Sequence, residues 1–419
     1  MKGMAPREPA GVQLFLPCAS GVEPLLADEV RRIAGARARP EAGRGGVFVE
    51  GDAVLAMQLN LESRLAQRVL WPLIDAPYAD EHALYAMARR VAWPDWITPA
   101  QTLRVDVSAV RSPLTSLNFA ALRIKDAVCD AIREHEGERP SVDTRNPDLP
   151  LALFLGPDHA TLYADTSGEA LFKRGWREDK GEAPLKETLA AAMLAAVGWQ
   201  GRAEDGPLLD PCCGAGTIAI EAAQLACGIA PGALRRFAFE RQLPFRPHQA
   251  EWRELQRQAR ARVHAPRVAV HAGDVSFRMT DYAARNAERA GVRHAIELKT
   301  ADALQRLPPA ERGVLMLNPP YGERIDAKGT GVTSREGFGG AEGGGGSSAE
   351  FFGNLAAHWK RHYAGWTAWL LSPDPKLPGL MRLKESRRVP MRNGAIECRL
   401  FRFDMVAGSN KKPSPVDED

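Results

Sequence analysis

The run with the clearest chemistry in this chain is Val314-Leu-Met-Leu-Asn-Pro-Pro-Tyr-Gly-Glu-Arg324. An apolar stretch ends at Asn318, and Pro319 and Pro320 then hold the backbone, because proline fixes its own φ and restrains the residue before it. Such an end could activate an exocyclic amine. The lone pair of that nitrogen is delocalised into its ring, which makes it a poor nucleophile. If the Asn318 side-chain oxygen and the Pro319 carbonyl accept its two N–H bonds, the nitrogen moves toward tetrahedral geometry and the lone pair is freed. Tyr321 could stack on a base taken out of its helix. The proton can leave late, to water, so no strong general base is required.

A second run, Leu208-Leu-Asp-Pro-Cys-Cys-Gly-Ala-Gly-Thr-Ile-Ala-Ile-Glu221, supplies a place for the other reactant. An apolar strand ends at Asp210, Gly214 and Gly216 let the backbone turn tightly, and a helix starts at Thr217. In open α/β sheets ligands bind at the carboxyl ends of strands beside such turns. The phosphate-binding glycine fingerprint is absent, since Gly-x-Gly follows Asp-Pro and no third glycine has the required spacing. The pattern instead fits a pocket for S-adenosylmethionine (SAM), with Asp210, Pro211, Cys212, Gly214, Gly216 and Thr217 around the amino-acid end of that cofactor. Asp274, just past an expected strand over Val268–His271, could accept the ribose hydroxyls. Asp302, after an expected strand over Ile296–Thr300, could accept from the adenine amino group. Cys212 and Cys213 lie in the cofactor turn, away from Asn318, so they are expected to pack rather than attack a base.

These residues need a sheet to carry them. Strands are expected at Pro207–Asp210, Val268–His271, Ile296–Thr300, Gly313–Leu317, Thr367–Leu371 and Glu397–Phe403, the last with room to run antiparallel. Their alternation with helices or loops predicts an open, mostly parallel α/β sheet of Rossmann-like type over residues 199–406. A connector and an Ala/Leu-rich helix precede it at 171–198. Residues 1–56 read as a small α/β piece and 57–170 as a second, with a strong amphipathic helix over Ala120–Glu136. Nine of the eighteen residues from Gly329 to Gly346 are glycine. That stretch is expected to be a surface insertion with the potential to act as a lid. The polar tail 407–419 is expected to be disordered.

Bulk properties narrow the class. With 419 residues, 45% hydrophobic and 26% charged, the chain suits two or three globular domains. A net charge of +3 is too mild to demand a nucleic-acid partner, yet it hides local clusters. Arg235–Arg262 holds eight Arg and three Glu, and Arg382–Arg402 holds seven Arg/Lys and two Glu. Clusters of this kind could meet phosphates, or could be solvated surface. The six cysteines show no CxxC pair and no zinc-ligand spacing, so no metal is expected, and reduced thiols suit a cytoplasmic protein. No signal peptide or membrane span is expected.

With both motifs in place, the chain resembles the bacterial THUMP-domain class I RNA methyltransferases that make N2-methylguanosine in large-subunit ribosomal RNA. The matching segments are Gly21–Glu29, Leu122–Val128, Pro184–Ala192, Asp210–Thr217, Asn318–Arg324, Arg382–Arg387 and Asn393–Cys398. The resemblance implies a ferredoxin-like piece at 1–56, a THUMP RNA-binding domain at 57–170 and a Rossmann-like methyltransferase domain with SAM as methyl donor. Structured RNA, 23S rRNA or a large-subunit assembly intermediate, is the implied partner. Basic residues in or beside the matched segments, Lys125, Lys186, Arg324, Arg382, Lys384 and Arg387, are the expected RNA contacts. One departure concerns the ribose-binding strand, which in the family carries a second acid where this chain has Ser276. The same Asn-Pro-Pro-Tyr chemistry also serves tRNA guanine, DNA adenine N6 and protein glutamine methylation, and a non-catalytic RNA-binding assembly factor is a rival of another class.

Overall fold

The computed structural model describes residues 11–35, 38–181, 184–319 and 348–406. The chain forms two compact units: residues 1–176, 187–192 and 228–263 make one, and 177–186, 193–227 and 264–419 the other.

The first unit is built on one eight-stranded sheet. Its elements in chain order are β1 (Val12–Pro17), α1 (Glu23–Ala34), β2 (Glu41–Gly43), β3 (Gly46–Gly51), α2 (Ala53–Glu62), β4 (Leu70–Pro77), α3 (Glu81–Ala88), β5 (Thr102–Ala109), α4 (Leu117–Glu136), β6 (Ser141–Val142), β7 (Leu149–Leu155) and β8 (His159–Asp165). The strand order is β2-β3-β1-β4-β8-β7-β5-β6. Side-chain caps start three of the helices: Asp52 accepts from Leu55 N, Asp80 from Ala83 N and Ser116 from Phe119 N, each satisfying an amide that has no partner inside its helix. The strong amphipathic helix expected at Ala120–Glu136 is α4, begun one turn earlier by its Ser116 cap. The 56/57 division expected from sequence lies inside α2, and β1 pairs with β4, Phe15 against Leu70, so the sheet is continuous between the two small α/β pieces.

After α5 (Glu187–Val197) the second unit carries β9 (Leu208–Asp210) and α6 (Thr217–Ala226). The chain then contributes Gly228–Val263, with helix α7 (Gln249–Ala261), to the first unit. It returns for β10 (Val270–Asp274), α8 (Phe277–Arg289), β11 (Ile296–Thr300), β12 (Gly313–Leu317), α9 (Ser348–His362), β13 (Trp366–Ser372), α10 (Leu377–Met381), β14 (Arg387–Asn393) and β15 (Ile396–Asp404). The seven strands are ordered β11-β10-β9-β12-β13-β15-β14. The first five are parallel, and β15 runs antiparallel to both β13 and β14. Both faces are buried, so the central strands read as unbroken apolar runs. Leu315, Leu317, Ala368, Leu370, Phe401 and Phe403 point into one core with Phe352, Leu355 and Trp359 of α9. Between them, Met316, Trp369 and Leu371 are buried on the other face.

The sheet reverses its winding between β9 and β12. Going outward on one side the chain runs β9, β10, β11; on the other it runs β12, β13. A crevice opens at the carboxyl ends of strands at such a reversal.

Candidate active site

Four strand ends frame the crevice, and each delivers a residue singled out by sequence. β9 ends in Asp210, which is almost fully buried. Parallel pairing sets Leu208 and Leu209 against Val314 and Leu315 of β12, so the end of β12 brings Asn318 and Pro319 beside the Asp210 turn. On the other flank β10 ends in Asp274, in register with Thr300 of β11, and Asp302 follows two residues later. Asp274 was expected just past a strand ending at His271. It is instead the last residue of the strand, which extends because Gly273 and Asp274 continue the ladder with Lys299 and Thr300. A Cβ at Gly273 would sit 2.9 Å from the Lys299 carbonyl oxygen, so only glycine allows that approach.

The turn from Pro211 to Gly216 is held by carboxylates. The Asp210 side chain accepts from Cys212 N at 3.2 Å. The Asp274 carboxylate accepts from Gly214 N at 3.0 Å and from Ser276 N at 2.9 Å. Asp302 closes its own turn by accepting from Leu304 N at 2.9 Å. Gly214 and Gly216 both have left-handed backbone, with φ of 52° and 89°. Gly216 caps α6 and packs tightly: a Cβ there would lie 3.0 Å from the Ala283 Cβ on α8. Gly214 differs, because a Cβ there would meet nothing within 4 Å. Its glycine is not demanded by protein packing.

The electrostatics are one-sided. Burial pushes the Asp210 carboxyl well above its ordinary range, and the nearby Asp274 charge adds to the rise against the single Cys212 amide. Burial also raises Asp274, against its two amide donors. The Cys212 thiol is raised by burial and then by Asp210, Asp274 and Asp302, so all three carboxylates bear on that one sulfur. Cys213 is raised in the same way, by burial first. Neither thiol is placed to ionise, in keeping with packing roles. No basic side chain forms an ion pair with Asp210, Asp274 or Asp302 among the described residues. A pocket with uncompensated negative charge and open space at Gly214 fits a cationic ligand. SAM, with a sulfonium and an ammonium group, satisfies that requirement.

Sequence reading missed the support behind this turn. Asn286 of α8 is fully buried; its Nδ2 donates to the carbonyls of Ala215 at 3.1 Å and Asp179 at 3.0 Å, and its Oδ1 accepts from the amides of Glu178 and Asp179, both at 3.3 Å. Arg177 donates to the Thr217 hydroxyl at 2.8 Å. The segment 177–181 is thereby fastened to the glycine turn and to α8. A lone asparagine on an amphipathic helix carries no sequence signal of this role.

The expected RNA contacts scatter. Lys125 lies on α4 of the first unit, paired with Asp126. Lys186, Arg382, Lys384 and Arg387 are exposed in the second unit. Arg382–Arg387 runs as a connection out of α10 with Arg382 at φ 49°; β14 begins only at Arg387. Arg387 also donates to the Ala196 carbonyl at the end of α5. Pro320, Tyr321, Arg324, the glycine-rich insertion 329–346 and the tail 407–419 lie outside the described residues. Among the described residues no group of His, Cys, Asp or Glu could hold a metal ion, and no helix is long and apolar enough to cross a membrane.

Three family models match in succession: an RlmL ferredoxin-like domain at residues 13–70, a THUMP domain at 78–165 and an RMKL-like methyltransferase domain at 174–335. The chain is 36% identical over 408 residues to a protein of Psychromonas ingrahamii named ribosomal RNA large subunit methyltransferase K/L, covering 96% of this chain and 51% of that one. The chain thus spans about half the length of the curated relatives it matches. Among solved structures, the SAH complex of SMU.472 aligns with a TM-score of 0.81 and 24% identity over 97% of this chain and all of the other. A Listeria monocytogenes protein named as a predicted N6-adenine-specific DNA methylase aligns at 0.79 and 26% identity, covering 94% of this chain and 96% of that one.

Proposed function

The chain belongs to the THUMP-domain methyltransferases that open with an RlmL ferredoxin-like domain, and from that premise we propose that it moves the methyl group of SAM to the exocyclic N2 of a guanine in 23S ribosomal RNA. The observation that carries the reading is the pairing of β9 with β12 at the sheet reversal, which sets the Asp210–Gly216 turn beside Asn318 and Pro319. One strand end is suited to the methyl donor and its neighbour to an amine.

In this reading Gly214 lies against the amino-acid end of SAM, Asp274 accepts its ribose hydroxyls and Asp302 its adenine amino group. Bound SAM supplies an activated methyl on sulfur. Asn318 and the Pro319 carbonyl accept the two N–H bonds of the guanine N2 and direct its lone pair at that methyl; Pro320 stiffens the strand end and Tyr321 stacks on the base. Asp210 keeps the turn in shape through Cys212 N. The THUMP domain and the relatives named as rRNA methyltransferases support RNA as the substrate.

The test is methyl transfer from radiolabelled SAM to unmodified ribosomal RNA and tRNA, followed by nucleoside analysis. Labelled N2-methylguanosine in large-subunit RNA is the expected product. A second reading, N6-adenine methylation of DNA, has the Listeria protein's name in its favour; label appearing on DNA adenine and not on RNA would replace the guanine assignment.

A further inference from the structure

The Arg-rich stretch 235–262 has no part in the site above. Four of its eight arginines are spent on the first unit's own structure or pairing. Arg235 donates to the carbonyls of Ser167, Glu169, Ala170 and Lys173 and lies over Phe237. Arg241 pairs with Asp148, Arg257 with Glu254 and Arg262 with Glu62. The other four are exposed and pair with no acid among the described residues; Arg236 stands apart in the chain, and Arg246, Arg253 and Arg260 lie on or just before one helix. They are arranged rather than scattered. Gln249, Arg253, Gln256 and Arg260 follow one another on α7 at steps of four, three and four, which places them on one helix face. Arg246 lies in the turn leading into that helix.

Arg246, Gln249 and Arg253 also line a half-open concavity of about 140 Å³. Glu240 lines it as well, and beneath it Phe239, Phe245 and Trp252 are buried, locked together edge to face and tilted with centroids 4.9 and 5.5 Å apart. Trp252 and Ala259 fasten α7 to the unit from the adjoining face. The volume is several times the ~30 Å³ share of one water. Unpaired guanidinium groups spaced along one anchored helix face suit a phosphate backbone, and the Gln249 amide beside them can meet a sugar or a base edge.

We propose that the Arg246 turn and the α7 stripe bind the substrate RNA strand, with phosphates on Arg246, Arg253 and Arg260. The inference rests on the RNA reading of the function and adds to it a contact surface outside the expected contact residues. Arginine suits the bidentate phosphate contact that such a stripe makes.

The experiment compares the full chain with Arg246→Ala/Arg253→Ala in equilibrium binding to in vitro transcribed large-subunit rRNA, across a salt titration. Loss of two phosphate contacts should weaken binding by about tenfold and flatten the log–log salt slope by roughly 1.4–1.8. Arg246→Lys/Arg253→Lys should recover most of the slope, because a point charge still releases counterions, and Arg257→Ala, already paired with Glu254, should bind as wild type does. SAM affinity and the melting transition should not move in any of them. An unchanged Kd and slope in the double alanine variant would overturn the stripe even if rRNA methylation is intact. A tenfold loss of binding in a protein that labels no rRNA would keep the stripe and overturn the functional reading instead.

Discussion

Gly214 and Gly216 sit two residues apart in the same turn, yet alanine at each should fail differently. At either position alanine must adopt left-handed backbone, which costs about 1–2 kcal/mol. At Gly214 that is the whole folding cost, because the new methyl group meets no protein atom within 4 Å. At Gly216 the methyl group also approaches Ala283 to 3.0 Å at Cβ and 3.2 Å at Cα, and this backbone neighbour cannot swing away. Overpacking of that kind adds about 1–3 kcal/mol. At roughly 2–4 °C per kcal/mol for a unit of this size, Gly214→Ala should melt only a few degrees below wild type and Gly216→Ala about 1.5 to 4 times as far below. Ligand binding should run the other way in proportion. If the space at Gly214 is where SAM approaches, a methyl group there costs affinity by overpacking the bound state, about tenfold or more. The assay is a pair of measurements on each variant, a melting curve without ligand and a SAM titration by calorimetry. A Gly214→Ala protein that melts as expected and binds SAM within about twofold of wild type would falsify the placement of the cofactor against this turn.

Other outcomes follow from the same geometry. Asn318→Ala should abolish methyl transfer while SAM affinity in calorimetry stays near wild type; parallel loss of both would show that Asn318 shapes the cofactor pocket rather than holding the amine. Asp274→Ala removes an acceptor of two backbone amides, so it should loosen the glycine turn and weaken SAM binding together, by a combined ~2–4 kcal/mol given the worth of charged hydrogen bonds; an unchanged SAM Kd would remove it from the site. The third outcome concerns pH. Asp210 and Asp274 are raised above their ordinary range by burial, so the folded protein binds protons that the unfolded chain releases. Their ionisation is therefore a cost to the ligand-free protein above the raised folded values, and the cost is relieved as pH falls toward the ordinary carboxylate range. A cationic ligand reverses the preference. SAM affinity should fall as pH drops through the raised values, and Asp274→Asn should flatten that dependence; a pH-independent Kd in the wild type across this window would contradict a carboxylate-lined cofactor site.

The parts of the fold that sequence exposed are those where one principle governs. The central strands are buried on both faces, so β9 and β12 can be read directly as apolar runs ending at or just before a polar residue, and the last strand had room to be antiparallel, as β15 is. The turn at Gly214 and Gly216 and the strand end before Asn318 were legible because glycine and proline act locally. The strands that stayed hidden are ones where tertiary context overrides composition. β4 contains Pro72 and Pro77, residues that normally argue against a strand interior; its register shifts between Pro72 and Ile74, so the missing amide falls at an irregularity in the ladder. β14 is an edge strand with Arg387, Arg388, Pro390 and Arg392, and only Met391 is buried, so its pattern looks like a polar loop. The support given by Asn286 and Arg177 depends on contacts across long separations, which no local spacing reports. The same is true of Gly228–Val263, whose aromatic residues look like part of the domain that surrounds them in sequence.

That excursion bears on how the protein can be dissected. The chain changes units after residues 176, 186, 192, 227 and 263, so no single cut yields one piece with the sheet of β1–β8 and another with the sheet of β9–β15. A truncation that starts after the first unit's sheet would still carry Gly228–Val263, with Phe237, Phe239, Phe245 and Trp252 stripped of Met57 and the other residues that cover them. Such a fragment should be insoluble for reasons unrelated to methyl transfer. The two units are tied together as a gene product: insertion, deletion or exchange of one in evolution or in the laboratory requires matched changes at several separated places in the reading frame.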